Sequence, residues 1–140
     1  MNLIDALNIS ATGLYAQRIR MNIISANLAN VNTTRTPQGG PYRKKEVIFK
    51  AIEKEDFSSE LERYLQGVKV LKIVESKKPF RIVYDPTHPD ADKNGYVKYP
   101  NVNIIEEMVD LISAEKSYEA NIAAINAIKN MINKSLEIGR

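Results

Sequence analysis

The same apolar signature occurs at both ends of this chain and is missing from its middle. Near the N-terminus Leu3, Leu7, Leu14, Met21, Ile24, Leu28 and Val31 recur at alternating spacings of three and four, interrupted at Ser10 and Gln17. Near the C-terminus Ile104, Met108, Leu111, Tyr118, Ile122, Ile125, Ile132 and Leu136 do the same, interrupted at Glu115 and Lys129. Side chains at that spacing fall along one stripe of a helix. Two long striped helices must bury their stripes, against each other or against helices of neighbouring copies. The reading that follows is α+β: long terminal helices making a coiled-coil-like core, and a small β-rich insert between them.

The boundaries come from breakers and caps. The first helix is predicted from about Asn2 to about Asn30, with Asn2 as N-cap and Asp5 placed as in a capping box. At 1.5 Å per residue it is about 45 Å long, more than the width of a domain of this size. Gly13 inside it costs roughly 1 kcal/mol relative to Ala and marks either a close approach or a tolerated defect. The last helix is predicted after Pro100, with Asn103 and Glu106 as a capping pair and Gly139 at its stop. A run longer than about 25 residues without breakers suggests a coiled coil. The chain thus divides into a helix over 1–32, a loop and β-rich region over 33–100, and a helix over 101–140.

In the middle, Thr36–Pro41 is a loop by composition, and Val47-Ile48-Phe49 is a short apolar run. The polar Glu53–Gln66 stretch reads as loop or weak helix. Val68, Val70, Ile73 and Val74 give a strand with imperfect alternation, and Phe80, Ile82 and Tyr84 alternate with Arg81 and Val83 as a second. Two prolines make Asp85–Asp90 a turn, and Asn94-Gly95 turns into a strand over Tyr96–Tyr99.

Charge is distributed unevenly. Up to Asn32 only Asp5, Arg18 and Arg20 are charged, whereas Thr33–Asn101 holds fourteen basic and ten acidic residues. A helix so poor in charge is expected to have its polar face covered as well. In the last helix Glu106, Glu107, Asp110, Glu115 and Glu119 come early and Lys129 and Lys134 late, the order that suits a helix macrodipole. There is no cysteine, so no disulfide, thiolate metal site or catalytic thiol is available. No run approaches the roughly 18 apolar residues of a membrane span, and the N-terminus lacks the basic start of a secretory signal.

Catalytic and ligand signatures are weak. His88 with Asp85, Asp90 and Asp92 superficially resembles a metal site, but Pro86 and Pro89 favour a rigid turn or a subunit contact. Gly39-Gly40 runs into Pro41 and lacks the Lys-Ser/Thr ending of a phosphate loop. One histidine in a proline-flanked turn does not make a catalytic triad. Arg43-Lys44-Lys45 and Lys77-Lys78 are too sparse for nucleic-acid binding. We expect no enzyme activity, no cofactor, no metal, no small-molecule substrate and no nucleic acid.

The residues Ser25-Ala26-Asn27-Leu28-Ala29-Asn30-Val31-Asn32-Thr33-Thr34 resemble the signature of bacterial flagellar rod, hook and related axial proteins, an Ala-Asn-x-Ala-Asn core and a Thr-rich exit. Asn101–Ile112 and Ser117–Asn121 resemble that family's C-terminal helix. Gly39–Lys45, Asp85–Asp92 with Gly95-Tyr96-Val97, and the short length narrow the similarity to a proximal-rod member. The resemblance covers nearly all of the chain except Ala51–Gln66. It implies a structural subunit that leaves the cell by the flagellar type III export apparatus without a cleaved signal. It implies helical assembly with copies of itself and other rod proteins into a drive shaft crossing the periplasm, inside the basal-body rings. Another axial subunit of the family, or a coiled-coil adaptor of a secretion system, is the alternative.

On this reading subunit packing is carried by Leu7, Leu14, Met21 and Leu28 on the first helix. Met108, Leu111, Tyr118, Ile122, Ile125 and Ile132 do so on the last. Asn27 and Asn30, with Asn22, Asn121 and Asn126, are expected to hydrogen-bond across helices and set register, as a polar residue at a coiled-coil a position does. Ala26, Ala29, Ala120, Ala123, Ala124 and Ala127 allow close helix approach.

Overall fold

The computed structural model describes residues 3–52 and 66–139. The expected N-cap Asn2 and the segment 53–65 lie outside the described residues. The order of elements is α1 (Leu3–Ala29), β1 (Lys45–Ala51), β2 (Val68–Glu75), β3 (Arg81–Tyr84), β4 (Tyr96–Tyr99) and α2 (Ile104–Ile138). Two terminal helices with a small antiparallel insert make the fold α+β.

The helices form an antiparallel hairpin. Three contacts set their relative level: Gly13 beside Asn121, Arg20 with Asp110, and Asn27 with Glu107. A Cβ on Gly13 would stand 3.0 Å from Asn121 Oδ1, so this glycine marks close approach, here of a side chain from the facing helix. α2 starts where Asn103 Oδ1 accepts from the Ile105 and Glu106 amides, at 3.0 and 3.5 Å. Gly139 follows its last turn.

Among the described residues the insert holds two separate two-stranded sheets. β1 pairs antiparallel with β2, and the register shifts between Ile48 and Phe49, where Leu71 is left without a partner residue. That bulge explains the imperfect alternation of Val68, Val70, Ile73 and Val74, because an extra residue resets which face each side chain takes. It also gives Val47-Ile48-Phe49, which the sequence shows only as an apolar run, its place in a seven-residue strand. β3 pairs with β4, Arg81 opposite Tyr99 and Tyr84 opposite Tyr96. Alternation correctly marks β3 as a strand, yet Ile82 and Tyr84 are exposed; the buried member of this hairpin is Val97 on β4. Gly95 takes a φ of +84° before β4, closing the turn.

α1 is the inner element. It packs on α2 on one side and on β1 and β2 on another. Thr12 fixes the second contact: its hydroxyl donates to Ile9 O at 2.7 Å and accepts from the Val68 amide at 3.1 Å. What α1 leaves open is one stripe, Ile4, Asn8, Ala11, Tyr15, Arg18, Asn22, Ser25 and Ala29. Within the chain, the expected cover of the polar face is supplied on the sheet side and not along this stripe.

Candidate assembly site

Where α1 ends, a buried polar joint ties it to α2 and to the start of β1. Asn27 is 1 % exposed and all four of its amide positions are satisfied. Its Nδ2 donates to Glu107 Oε2 and to Lys45 O, both at 2.9 Å. Its Oδ1 accepts from the Tyr42 hydroxyl and the Lys45 amide, both at 2.9 Å. Glu107 is equally buried, and Lys44 Nζ lies 2.6 Å from its Oε1. Asn101 continues the joint, accepting from the Lys44 amide at 2.8 Å and donating to Lys78 O at 3.0 Å.

Burial raises the Tyr42 pKa above its ordinary value, helped by the Glu107 and Glu75 carboxylates. Burial alone would lower that of Lys44, but its contact with Glu107 outweighs this and the net shift is upward.

This joint revises the sequence reading in two respects. Glu107, counted there among the early acidic residues that suit the helix macrodipole, is also a buried partner. Of the five asparagines expected to bridge helices, Asn27 does so within the chain, whereas Asn30 and Asn121 bond to Ala26 O and Ser117 O of their own helices. Asn22 and Asn126 are exposed. Glu107 gave no signal because a charged side chain ordinarily reads as solvated, and here only its partners make burial possible.

The side chains facing across the hairpin are not quite those of the apolar stripes. On α2 the buried positions are Glu107, Ala114 and Ile128; on α1 they are Ala16, Ile24 and Asn27. At 3.6 residues per turn, Leu7, Leu14, Met21 and Leu28 sit about a quarter turn from the Gly13–Asn27 line. All four are half-buried, on the flank away from Thr12 and the β1–β2 sheet. Leu111, Tyr118, Ile125 and Ile132 are half-buried as well. Met108 at 52 % and Ile122 at 39 % are exposed. The two stripes therefore converge on one long flank of the hairpin. Around the far side of α2 the surface stays apolar: Ile105 is 74 %, Val109 61 % and Ile112 56 % exposed. Exposed apolar patches of this kind mark interaction surfaces.

The His88 turn is a clamp. Asp85 Oδ1 accepts from the Thr87 amide and hydroxyl, and Asp92 Oδ1 from the Asn94 and Tyr96 amides. Asp90 accepts from Thr34 and Arg35, holding the α1 exit loop to the turn. The Thr34 hydroxyl, then the Arg35 cation, draw the Asp90 pKa below its ordinary value; the Thr87 hydroxyl does the same for Asp85. Asp85 and Asp92 are thus committed to the turn's own donors, and Asp90 to the α1 exit loop. Among the described residues no helix is long and apolar enough to cross a membrane.

A helical hairpin whose terminal elements carry both the buried joint and open apolar faces has the form of a structural subunit made for assembly. Comparison with known proteins agrees. Residues 7–35 match the family described as flagella basal body rod protein, and residues 93–138 match the C-terminal family of flagellar basal body rod FlgEFG proteins. Flagellar basal-body rod protein FlgC of Bacillus subtilis is 48 % identical over all of both chains. That of Borreliella burgdorferi is 46 % identical over 99 % of this chain and 98 % of its own, and that of Salmonella typhimurium 41 % over all of both. The chain belongs to the FlgC family of flagellar basal-body rod proteins, and it is a structural rod subunit.

Proposed function

We propose that this chain polymerises helically through its terminal helices, with copies of itself and with other rod proteins, into the shaft that crosses the periplasm and transmits torque. The observation that carries this reading is the apolar flank shared by both helices. A structure that already buries a complete polar joint has no internal use for open side chains such as Met108 and Ile122. Contacts between unlike faces build open assemblies rather than closed dimers when their rotation does not close. Long helices packed along their lengths make such contacts stiff. Delivery through the flagellar type III export apparatus, without a cleaved leader, and seating within the basal-body rings belong to the same reading, as does the absence of catalysis.

Met108→Asp tests it. The side chain is exposed, so the purified variant keeps the unfolding midpoint of the parent within error. In cells, the variant is expected to be missing from purified basal bodies and the cells non-motile. Normal incorporation would remove the flank from the subunit contact.

A further inference from the structure

Asn94 is the only asparagine of this chain that stands directly before a glycine. That pair carries a chemistry of its own. Once the glycine amide has given its proton to hydroxide, its nitrogen can attack the Cγ of the preceding side chain. A bond forms between Gly95 N and Asn94 Cγ, the bond from Cγ to Nδ2 breaks, and the side-chain nitrogen leaves as ammonia. Water then opens the cyclic imide at either carbonyl, which leaves aspartate or isoaspartate at position 94. Glycine favours the attack because no side chain blocks its nitrogen and its backbone is free to take up the geometry required. Every other asparagine here is followed by a residue with a side chain.

The folded turn closes this route on the side of the nucleophile. The Gly95 amide proton is engaged by Asp92 O at 3.0 Å, and Gly95 O accepts from the Asp85 amide at 2.9 Å. Asp92 Oδ1 accepts from the Asn94 amide at 2.8 Å and the Tyr96 amide at 2.9 Å, so the main chain is pinned on both sides of the glycine. Gly95 is buried, and a Cβ on it would stand 2.9 Å from Tyr84 Cε2 and 3.1 Å from Pro86 Cβ. Asn94 itself is exposed.

We propose that Asn94 is a latent site of self-modification, open in the unfolded chain and silenced by the Asp92 turn. In the folded chain the reaction waits for a local opening and is slowed by the rarity of that opening. Ring closure also removes the N–H that Asp92 O accepts. Isoaspartate lengthens the main chain just ahead of Gly95, where the pairing of Tyr84 with Tyr96 begins. A chain that folds promptly keeps its amide. One that stays unfolded acquires an irreversible mark at the entry to β4.

The purified chain is incubated at mildly alkaline pH in native buffer and in guanidinium chloride, then cut with trypsin. Mass spectrometry follows the peptide 94–98, and labelling by an isoaspartyl methyltransferase identifies the rearranged product. In denaturant, conversion is expected at Asn94 ahead of every other asparagine, and in native buffer it is at least about tenfold slower. Equal rates in the two conditions, or no preference for Asn94 in denaturant, overturn the proposal. Asp92→Ala, with its helices verified by circular dichroism, raises the native rate several-fold and leaves the denatured rate unchanged. An unmoved native rate overturns the role given to the turn. Refolding supplies a second measurement. The parent and Asn94→Gln, whose longer side chain disfavours the ring, are aged together in denaturant and refolded, each beside its own unaged sample. The near-ultraviolet tyrosine signal is expected to return fully in the variant and incompletely in the parent. Full return in both overturns the claim that the mark disrupts β3–β4.

Discussion

The two helices have similar apolar patterns in sequence and opposite fates in the fold. α1 is held between α2 and the β1–β2 sheet and keeps one narrow open stripe, mostly small and polar. α2 packs along one side only, and at its start four of the first six residues that carry large apolar side chains lie at least half in solvent. The same periodicity therefore serves two purposes. In α1 much of it is used within the chain, and in α2 a good part of it is left open. The polar joint at Asn27 makes the division possible, because it fixes the hairpin without consuming the apolar surface of α2.

The contrast can be broken most forcefully at the joint. Lys44→Ala leaves the Glu107 carboxylate buried without its cation, which costs about 3–5 kcal/mol. Chemical denaturation of the purified chain measures it, and adding Glu107→Gln to the variant recovers part of the loss. A value near zero would mean that the joint is not what holds the hairpin. Tyr42→Phe is milder, about 1 kcal/mol, since Asn27 Oδ1 keeps the Lys45 amide.

This variant also has a pH signature. Tyr42 and Lys44 both have native pKa values above their ordinary ones, so the folded state keeps protons that the unfolded chain gives up. Their contribution is complete below about pH 10 and drains away as pH rises through the native values. Denaturation midpoints of the parent should fall along that alkaline limb, and the fall should be shallower in Tyr42→Phe. Smallest is the effect of Ile105→Ser on folding, within about 0.5 kcal/mol, because the side chain is open to water. A larger loss in the isolated chain would show α2 to be as internally committed as α1.

What the sequence made legible was whatever announces itself by type and spacing. Both helices, the Asn103 cap, the Gly139 stop and the Gly95 turn are of this kind. Less legible was the side of each helix that faces the other. Gly13 and Ala114 carry no hydrophobic signal, and Glu107 carries a misleading one, yet these positions form the close seam while Met108 and Ile122 stand outside it. The pairing of β1 with β2 was hidden for a geometric reason, since the bulge at Leu71 breaks the period on which strand recognition depends. For β3 the period was clear, and the exposure of Ile82 and Tyr84 was not, because alternation reports two faces without saying whether either is covered.

The joint also has a consequence in time. Asn27 and Glu107 are separated by 80 positions along the chain. A chain made from its N-terminus has α1 complete long before the carboxylate that finishes the amide contacts of Asn27 exists. The hairpin can therefore lock only after most of the chain has been made, and α1 waits for a partner that is among the later residues to appear.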